Sequence, residues 1–150
     1  MIRKEFDVDR PPEEVWEFLV DPRQVVECLP GARLIRSVDE RTFEGEMGVR
    51  LGPIAASFFG RIHFERLDRE KLEVEMSGEG KDRRGTGSVR MSMMSKLAPG
   101  DGGGTRVSVS QTVNLAGRLA SFGRGGVVQG VADLMFGRFT GCVKKRLEAG

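Results

Sequence analysis

From Arg33 to Asn114 the chain alternates apolar and polar residues with a period of two. Phe43, Met47, Val49 and Leu51 alternate with Glu44, Glu46 and Arg50. Ile54, Phe58, Ile62 and Phe64 alternate with Ser57, Arg61, His63 and Glu65. The same pattern continues through Leu72, Val74 and Met76, then Val89, Met91 and Met93, then Val107, Val109 and Val113. Successive side chains of a strand point to opposite faces, so this pattern predicts an antiparallel sheet with one covered face. Turn-like breaks separate the strands at Leu51-Gly-Pro-Ile54, Asp68-Arg-Glu70 and Pro99-Gly-Asp-Gly-Gly-Gly104.

The two ends of the chain read differently. Ile2 to Val8 is a short strand. Asp9-Arg-Pro-Pro-Glu-Glu opens a helix, with proline in the first turn and acids at the positive end of the dipole. Val15, Trp16, Phe18 and Leu19 give that helix an apolar face. Asp21-Pro22 starts a second short helix, which runs through Val25 and Val26 and stops before Pro30-Gly31. The chain closes with a long helical pattern beginning at Gly117. On a wheel of 100° per residue, Val128, Val131, Met135, Phe139 and Cys142 share a face that should cover the sheet. The simplest fold is α+β: a curved sheet of seven strands around the terminal helix, in one domain spanning 1–150.

The terminal helix is rich in glycine, and each interior glycine costs about 1 kcal/mol relative to alanine. Gly123, Gly126, Gly130, Gly137 and Gly141 fall on the side opposite the sheet-facing residues. Three readings stay open: a tolerated exposed face, a surface for close approach of a partner or membrane, or a weakened helix that lifts or breaks at Gly123-Arg-Gly-Gly126.

Net charge is +2, and nothing in that total calls for nucleic acid. The opening residues turn acidic within five positions, unlike a secretory signal, and no apolar run approaches the roughly 20 residues that span a bilayer. Cys28 and Cys142 lie far apart and are expected to be intracellular free thiols, Cys28 as a small buried residue. These features point to a cytoplasmic protein.

Catalytic chemistry is sparse. The single histidine, His63, falls on the polar side of a strand. No Cys/His spacing suits zinc, and no phosphate-loop motif occurs. Gly78-Glu-Gly80-Lys-Asp-Arg83 begins like a dinucleotide fingerprint but has Arg83 at the third glycine position, and Gly85-Thr-Gly87 reads as a bend. Asp82, Arg83 and Arg84 form either a polar site at a cavity mouth or a solvated turn. Tyrosine is absent, and Cys28 lacks an assignable base. Methionines mixed with phenylalanines on the inward faces fit a plain core or an adaptable binding surface.

The chain resembles the helix-grip superfamily of START-type lipid-transfer, plant-allergen (Bet v 1-like) and polyketide-cyclase proteins. More closely, it resembles the G-subunit family of carbon monoxide dehydrogenase. The likeness is carried by Pro11-Pro-Glu-Glu-Val-Trp-Glu-Phe-Leu19, Cys28-Leu-Pro-Gly-Ala32, Phe43-Glu-Gly-Glu-Met-Gly-Val49, Leu51-Gly-Pro-Ile54 and Gly78-Glu-Gly-Lys-Asp82. It continues through Gly85 and Gly87, Gly103-Gly-Thr105 and Leu119-Ala-Ser-Phe-Gly-Arg-Gly125, covering nearly the whole chain.

The resemblance implies a helix gripped over an apolar cavity and a non-catalytic role beside a molybdenum carbon monoxide dehydrogenase-type hydroxylase. That role is recruitment of the enzyme to the membrane or transfer of electrons to a quinone. The expected ligand is a quinone or lipid, with no covalently bound cofactor, no metal and no catalytic residue. Its cavity would be lined by Phe43, Met47, Val49, Phe58, Ile62, Phe64, Val74, Met76, Val89, Met91, Met93, Val107 and Val109 from the sheet. Val128, Val131, Met135 and Phe139 would complete it from the helix. Leu29, Pro30, Leu119, Phe122, Arg118 and Arg124 are expected at the cavity mouth or a membrane or partner contact, with Arg138 and the Lys144–Arg146 cluster also available to anionic headgroups. Two other functions remain open: a docking or assembly factor without a ligand, and a cyclase- or hydrolase-like enzyme using Asp82, His63 or Glu46.

Overall fold

The computed structural model describes residues 1–51, 53–85, 87–123 and 126–149. Its elements are β1 (Ile2–Val8), α1 (Pro12–Leu19), α2 (Pro22–Glu27), β2 (Ala32–Ser37), β3 (Thr42–Leu51), β4 (Ile54–Asp68) and β5 (Glu73–Asp82). These are followed by β6 (Gly87–Pro99), β7 (Thr105–Gly117) and α3 (Val127–Glu148). The strands form one antiparallel sheet in the order β1-β7-β6-β5-β4-β3-β2, seven strands as the alternation predicts. Tight connections join β2 through β7 as a meander, and the chain between β1 and β2 crosses the sheet through α1 and α2.

Local chemistry sets the two short helices. Pro12 supplies the pre-set backbone of the first turn of α1, and Glu13 and Glu14 sit at its positive end. The Asp21 carboxylate caps α2 by accepting from the Arg23 amide at 3.1 Å. Val15, Trp16 and Phe18 bury the inner side of α1 against Phe6, Val8, Leu97 and Val107, forming the centre of the core with Phe43, Phe64 and Val74.

The sheet curls where glycines align. Gly45 pairs with Gly60, and Gly60 with Gly80, so three neighbouring strands lack side chains along one transverse line. A Cβ at Gly60 would overlap the Glu79 carbonyl and lie 2.6 Å from the Gly80 Cα. The strands approach one another there more closely than any larger residue permits.

Two expectations are corrected. The last helix begins at Val127, not near Gly117; Arg118–Gly123 forms a separate 3-10 turn. Gly126 takes a left-handed backbone (φ 82°) just before the helix, a conformation costly for other residues. The cysteines are not free: Cys28 and Cys142 form a disulfide across 114 residues, with Cα atoms 5.4 Å apart. Separation along the chain hides this proximity, because α3 returns across α2 and brings Cys142 against the residue that ends that helix. In the chain-entropy description, closing a loop of this size stabilises the fold by about 4–5 kcal/mol.

Candidate ligand cavity

Alternation places the apolar residues of the strands on the face that α3 covers. Register agrees: Phe43, Ile62, Gly78, Met91 and Val113 pair in one row across five strands, and Phe58 pairs with Met47. The backbone of α3 comes close to β1, β3 and the Arg118–Gly123 turn, and scarcely to β4, β5 and β6 between them. Only Val143 of its 22 residues is fully buried. The helix therefore spans the concave face more than it seals it.

Two apolar clusters support this span. In the larger one, Phe136 and Phe139 of α3 meet Phe6 edge-on, with ring centroids 5.6 and 6.3 Å apart. Phe43, Phe64, Val74 and Val107 are buried in that cluster, and Ile62, Met76, Val109 and Phe139 pack on it. In the smaller one, Ala56 and Leu119 are buried, with Val49, Phe58, Leu115, Phe122, Val127 and Val131 against them. The other residues expected to line a cavity belong to neither cluster. Met47, Val89, Met91, Met93, Val128 and Met135 face inward yet stay half-buried. Half-exposed methionine and valine on a concave face make an adaptable apolar lining.

The residues expected at the mouth are placed less uniformly. Leu119 is only 2% exposed, so it anchors the small cluster and does not meet solvent; Phe122 is half-buried beside it. Leu29 and Pro30 are half-buried after α2, and Gly31, with φ 79°, lies against Gly48 of β3. Arg118 is exposed, and Arg124 lies outside the described residues. Sequence reasoning missed Phe136 and Val143 as helix anchors, although Phe136, Phe139, Val143 and Leu147 have helical spacing and all meet the larger cluster.

The rims are polar. Lys4 points inward from β1, pairs with Asp133 of α3 and lies 5.8 Å from the Phe136 ring centroid. The ammonium of Lys4, then the Gln129 amide, hold the Asp133 carboxyl below its ordinary range. Beside the β3–β4 hairpin a depression of about 510 Å³ is lined by Gly48, Val49, Arg50, Ala55, Ala56, Ser57, Asp82, Arg83 and Arg84. Asp82 is buried at 6% exposure, and its carboxylate accepts from the Ser57 amide at 3.4 Å.

The opposite face of the sheet carries an ordered charge pattern. Arg36, Glu44, Arg61, Glu79 and Arg90 are successive partners across β2 to β6, alternating in sign. Glu44, buried at 7% exposure, accepts from Arg36 and from Arg61 Nε (2.9 Å), which hold its carboxyl below the ordinary glutamate range. His63 shares a 2.7 Å hydrogen bond with Thr42 on this face, and Glu46 pairs with Arg33 and Arg83. Neither His63 nor Glu46 lies on the sheet face that α3 covers, whereas Asp82 does by its register. Among the described residues, no group of three or more His, Cys, Asp or Glu side chains is placed to hold a metal, and no helix is long and apolar enough to cross a membrane.

The same architecture recurs in solved structures. A conserved protein from Geobacillus kaustophilus superposes with a TM-score of 0.85 at 19% identity, covering 98% of this chain and 94% of that one. The Zhui aromatase/cyclase from Streptomyces sp. R1128 gives a TM-score of 0.69 at 14% identity, over 98% and 92% of the two chains. A START superfamily protein from Mycobacterium smegmatis gives 0.64 at 14% identity, over 99% and 97%. At such identities the likeness establishes the helix-grip fold and nothing finer. No curated protein matches the sequence. The family model of the carbon monoxide dehydrogenase G subunit (CoxG) matches residues 5–148. A match over so much of the chain, on this fold, means that the protein belongs to the CoxG family, the G subunits of carbon monoxide dehydrogenase.

Proposed function

We propose that the protein is a non-catalytic carrier of a hydrophobic molecule, a quinone or lipid, serving a molybdenum carbon monoxide dehydrogenase-type hydroxylase. In this role it receives electrons from the enzyme through a bound quinone, or holds the enzyme at the inner face of the membrane by peripheral contact. One observation carries the reading. Six apolar residues belong to neither apolar cluster and remain half-buried: Met47, Val89, Met91 and Met93 on the covered face of the sheet, and Val128 and Met135 on the helix that spans it. Apolar surface left wet inside a fold is a standing source of binding free energy, about 25 cal/mol per Å² once a guest covers it. The family's description as a subunit of carbon monoxide dehydrogenase supports an enzyme partner of that kind.

Native mass spectrometry after incubation with menaquinone-4 or ubiquinone-2 tests the reading. Uptake of one equivalent by the wild type, and its loss in Met91→Trp at unchanged secondary structure, are the expected results. A protein that stays empty with both quinones and with phospholipid overturns it. Recruitment is tested separately by co-sedimentation with anionic vesicles, where indifference to lipid charge removes the peripheral membrane contact.

A further inference from the structure

We infer that Ser95 and Gln111 form a recognition point inside the hollow and bind an uncharged carbonyl oxygen of the guest, the ring carbonyl of a quinone or the ester carbonyl of a lipid. This rests on the carrier reading and says which part of the guest lies deepest. Two rows of side chains cross the covered face of the sheet. One runs through Val74, Ser95, Val109 and Lys4, and the next through Met76, Met93, Gln111 and Ile2. Ser95 and Gln111 are thus diagonal neighbours on β6 and β7, about 7 Å apart, close enough for both to reach one atom of a guest. Burial along β6 changes at this point. Leu97 is 2% and Ser95 8% exposed, whereas Met93, Met91 and Val89 are half-buried. Ser95 therefore closes the packed end of the hollow.

The protein itself satisfies neither side chain. Among the described residues, Ser95 and Gln111 make no side-chain hydrogen bond, and no fully sealed polar side-chain atom lacks a partner. The Ser95 hydroxyl, unpartnered in a residue more than nine-tenths buried, therefore opens on accessible space, and on this face that space is the hollow beneath α3. A polar group in apolar surroundings costs free energy until something bonds to it. Ser95 offers one O–H and Gln111 two N–H bonds, enough for both lone pairs of a carbonyl oxygen. The charge at the end of the Ser95 row is already balanced, because Lys4 is paired with Asp133 and lies on the Phe136 ring. An ionised head finds its countercharge taken there, while a neutral carbonyl needs none.

The test uses the full chain and two matched pairs of guests: menaquinone-4 with its carbonyl-free naphthalene analogue, and methyl oleate with a mono-unsaturated hydrocarbon of the same length. The members of a pair are offered together in equal amount, free guest is removed, and bound guest is counted by mass spectrometry. The wild type is expected to retain the carbonyl member of one pair about tenfold over its analogue, the effect of two ordinary hydrogen bonds. The pair that shows the preference identifies the carbonyl as ring or ester. In Ser95→Ala/Gln111→Met, near the native volume but without the donors, the preference should vanish while uptake of the hydrocarbons is unchanged. The melting temperature of the empty variant should be unchanged or raised, since two unpartnered polar groups are gone. If the wild type holds the members of each pair equally, or the variant keeps the preference, the recognition point is refuted and the carrier reading stands. A variant that melts lower marks the two residues as structural and refutes the recognition point in the same way. If no guest is retained, both are refuted.

Discussion

Replacing Gly60 by alanine and replacing helical glycines by alanine should move stability in opposite directions, and the size of each effect follows from what surrounds the new methyl group. At Gly60 the Cβ overlaps the Glu79 carbonyl and lies 2.6 Å from the Gly80 Cα and 2.9 Å from the Glu79 carbonyl carbon. All three are backbone atoms of β5, so no side chain can swing aside. The strands must separate, and overpacking of this kind costs about 1–3 kcal/mol. Loosened ladder hydrogen bonds on either side add about 1 kcal/mol each, for a total of about 3–5 kcal/mol. At Gly130, Gly137 and Gly141 a Cβ meets nothing within 4 Å. The triple alanine variant therefore gains helix propensity alone, about 2–3 kcal/mol. For a chain of this length, each kcal/mol moves Tm by about 2–4 °C. Thermal melts followed by circular dichroism, with urea midpoints as a second measure, should show Gly60→Ala lowered by about 10 °C and the triple variant raised by about 5–10 °C. A mild Gly60→Ala, below about 1 kcal/mol, would refute the close approach of β4 and β5. A destabilised triple variant would refute the open outer face of α3.

The remaining predictions concern the disulfide, charge and packing. Thiol titration of the denatured, unreduced protein should find no free thiol, and Cys28→Ser/Cys142→Ser should lower the urea-derived stability by about 2–5 kcal/mol; titration of two thiols would refute the bridge. The carboxyls of Glu44, Glu73 and Asp133 are held down by cationic neighbours, Arg36 and Arg61, Arg66, and Lys4. The unfolded chain thus binds protons first on acidification, and the stability these groups supply is complete above about pH 4.5 and is lost as pH falls through their lowered folded values. Glu44→Gln should flatten that acid limb of the urea midpoint against pH; an unchanged limb would exclude Glu44 as a contributor. Val143→Ala, at the one fully buried position of α3, should cost about 1.5–3 kcal/mol, read from the same titrations, and a neutral result would mean that α3 is not anchored there.

Much of the architecture was legible in the chain because period-two alternation survives wherever one face of a strand is covered. Phe43, Phe58, Phe64, Met76 and Val107 could all be placed on the inner face before any register was known. The glycine face of α3 was legible in part: Gly130, Gly137 and Gly141 lie on its exposed side as the helical wheel places them, whereas Gly123 and Gly126 precede the helix. What sequence could not reveal depends on contacts between distant segments. Cys28 meets Cys142, Lys4 meets Asp133, and the Arg36–Glu44–Arg61–Glu79–Arg90 ladder appears only when five strands are aligned. Periodicity also cannot separate packed residues from lining residues. Phe64 and Met93 follow the same pattern, yet one is 3% exposed in the core and the other stays half-buried outside both clusters.

The covalent bridge fixes one end of the long helix, and non-covalent contacts hold the rest: Val127 and Val131 in the smaller cluster, Asp133 on Lys4 and Phe136 on Phe6. Cys142 is bonded to the end of α2, and Arg146 and Glu148 reach Glu27 and the Asp9 amide nearby. Val127 stands 15 residues upstream, about 22 Å along the axis, against the smaller cluster and after a left-handed glycine. A rod bonded covalently at one end and held by packing at the other parts from its support at the packed end first, so unfolding of α3 is expected to start at Val127 and to halt at the sulfur atoms.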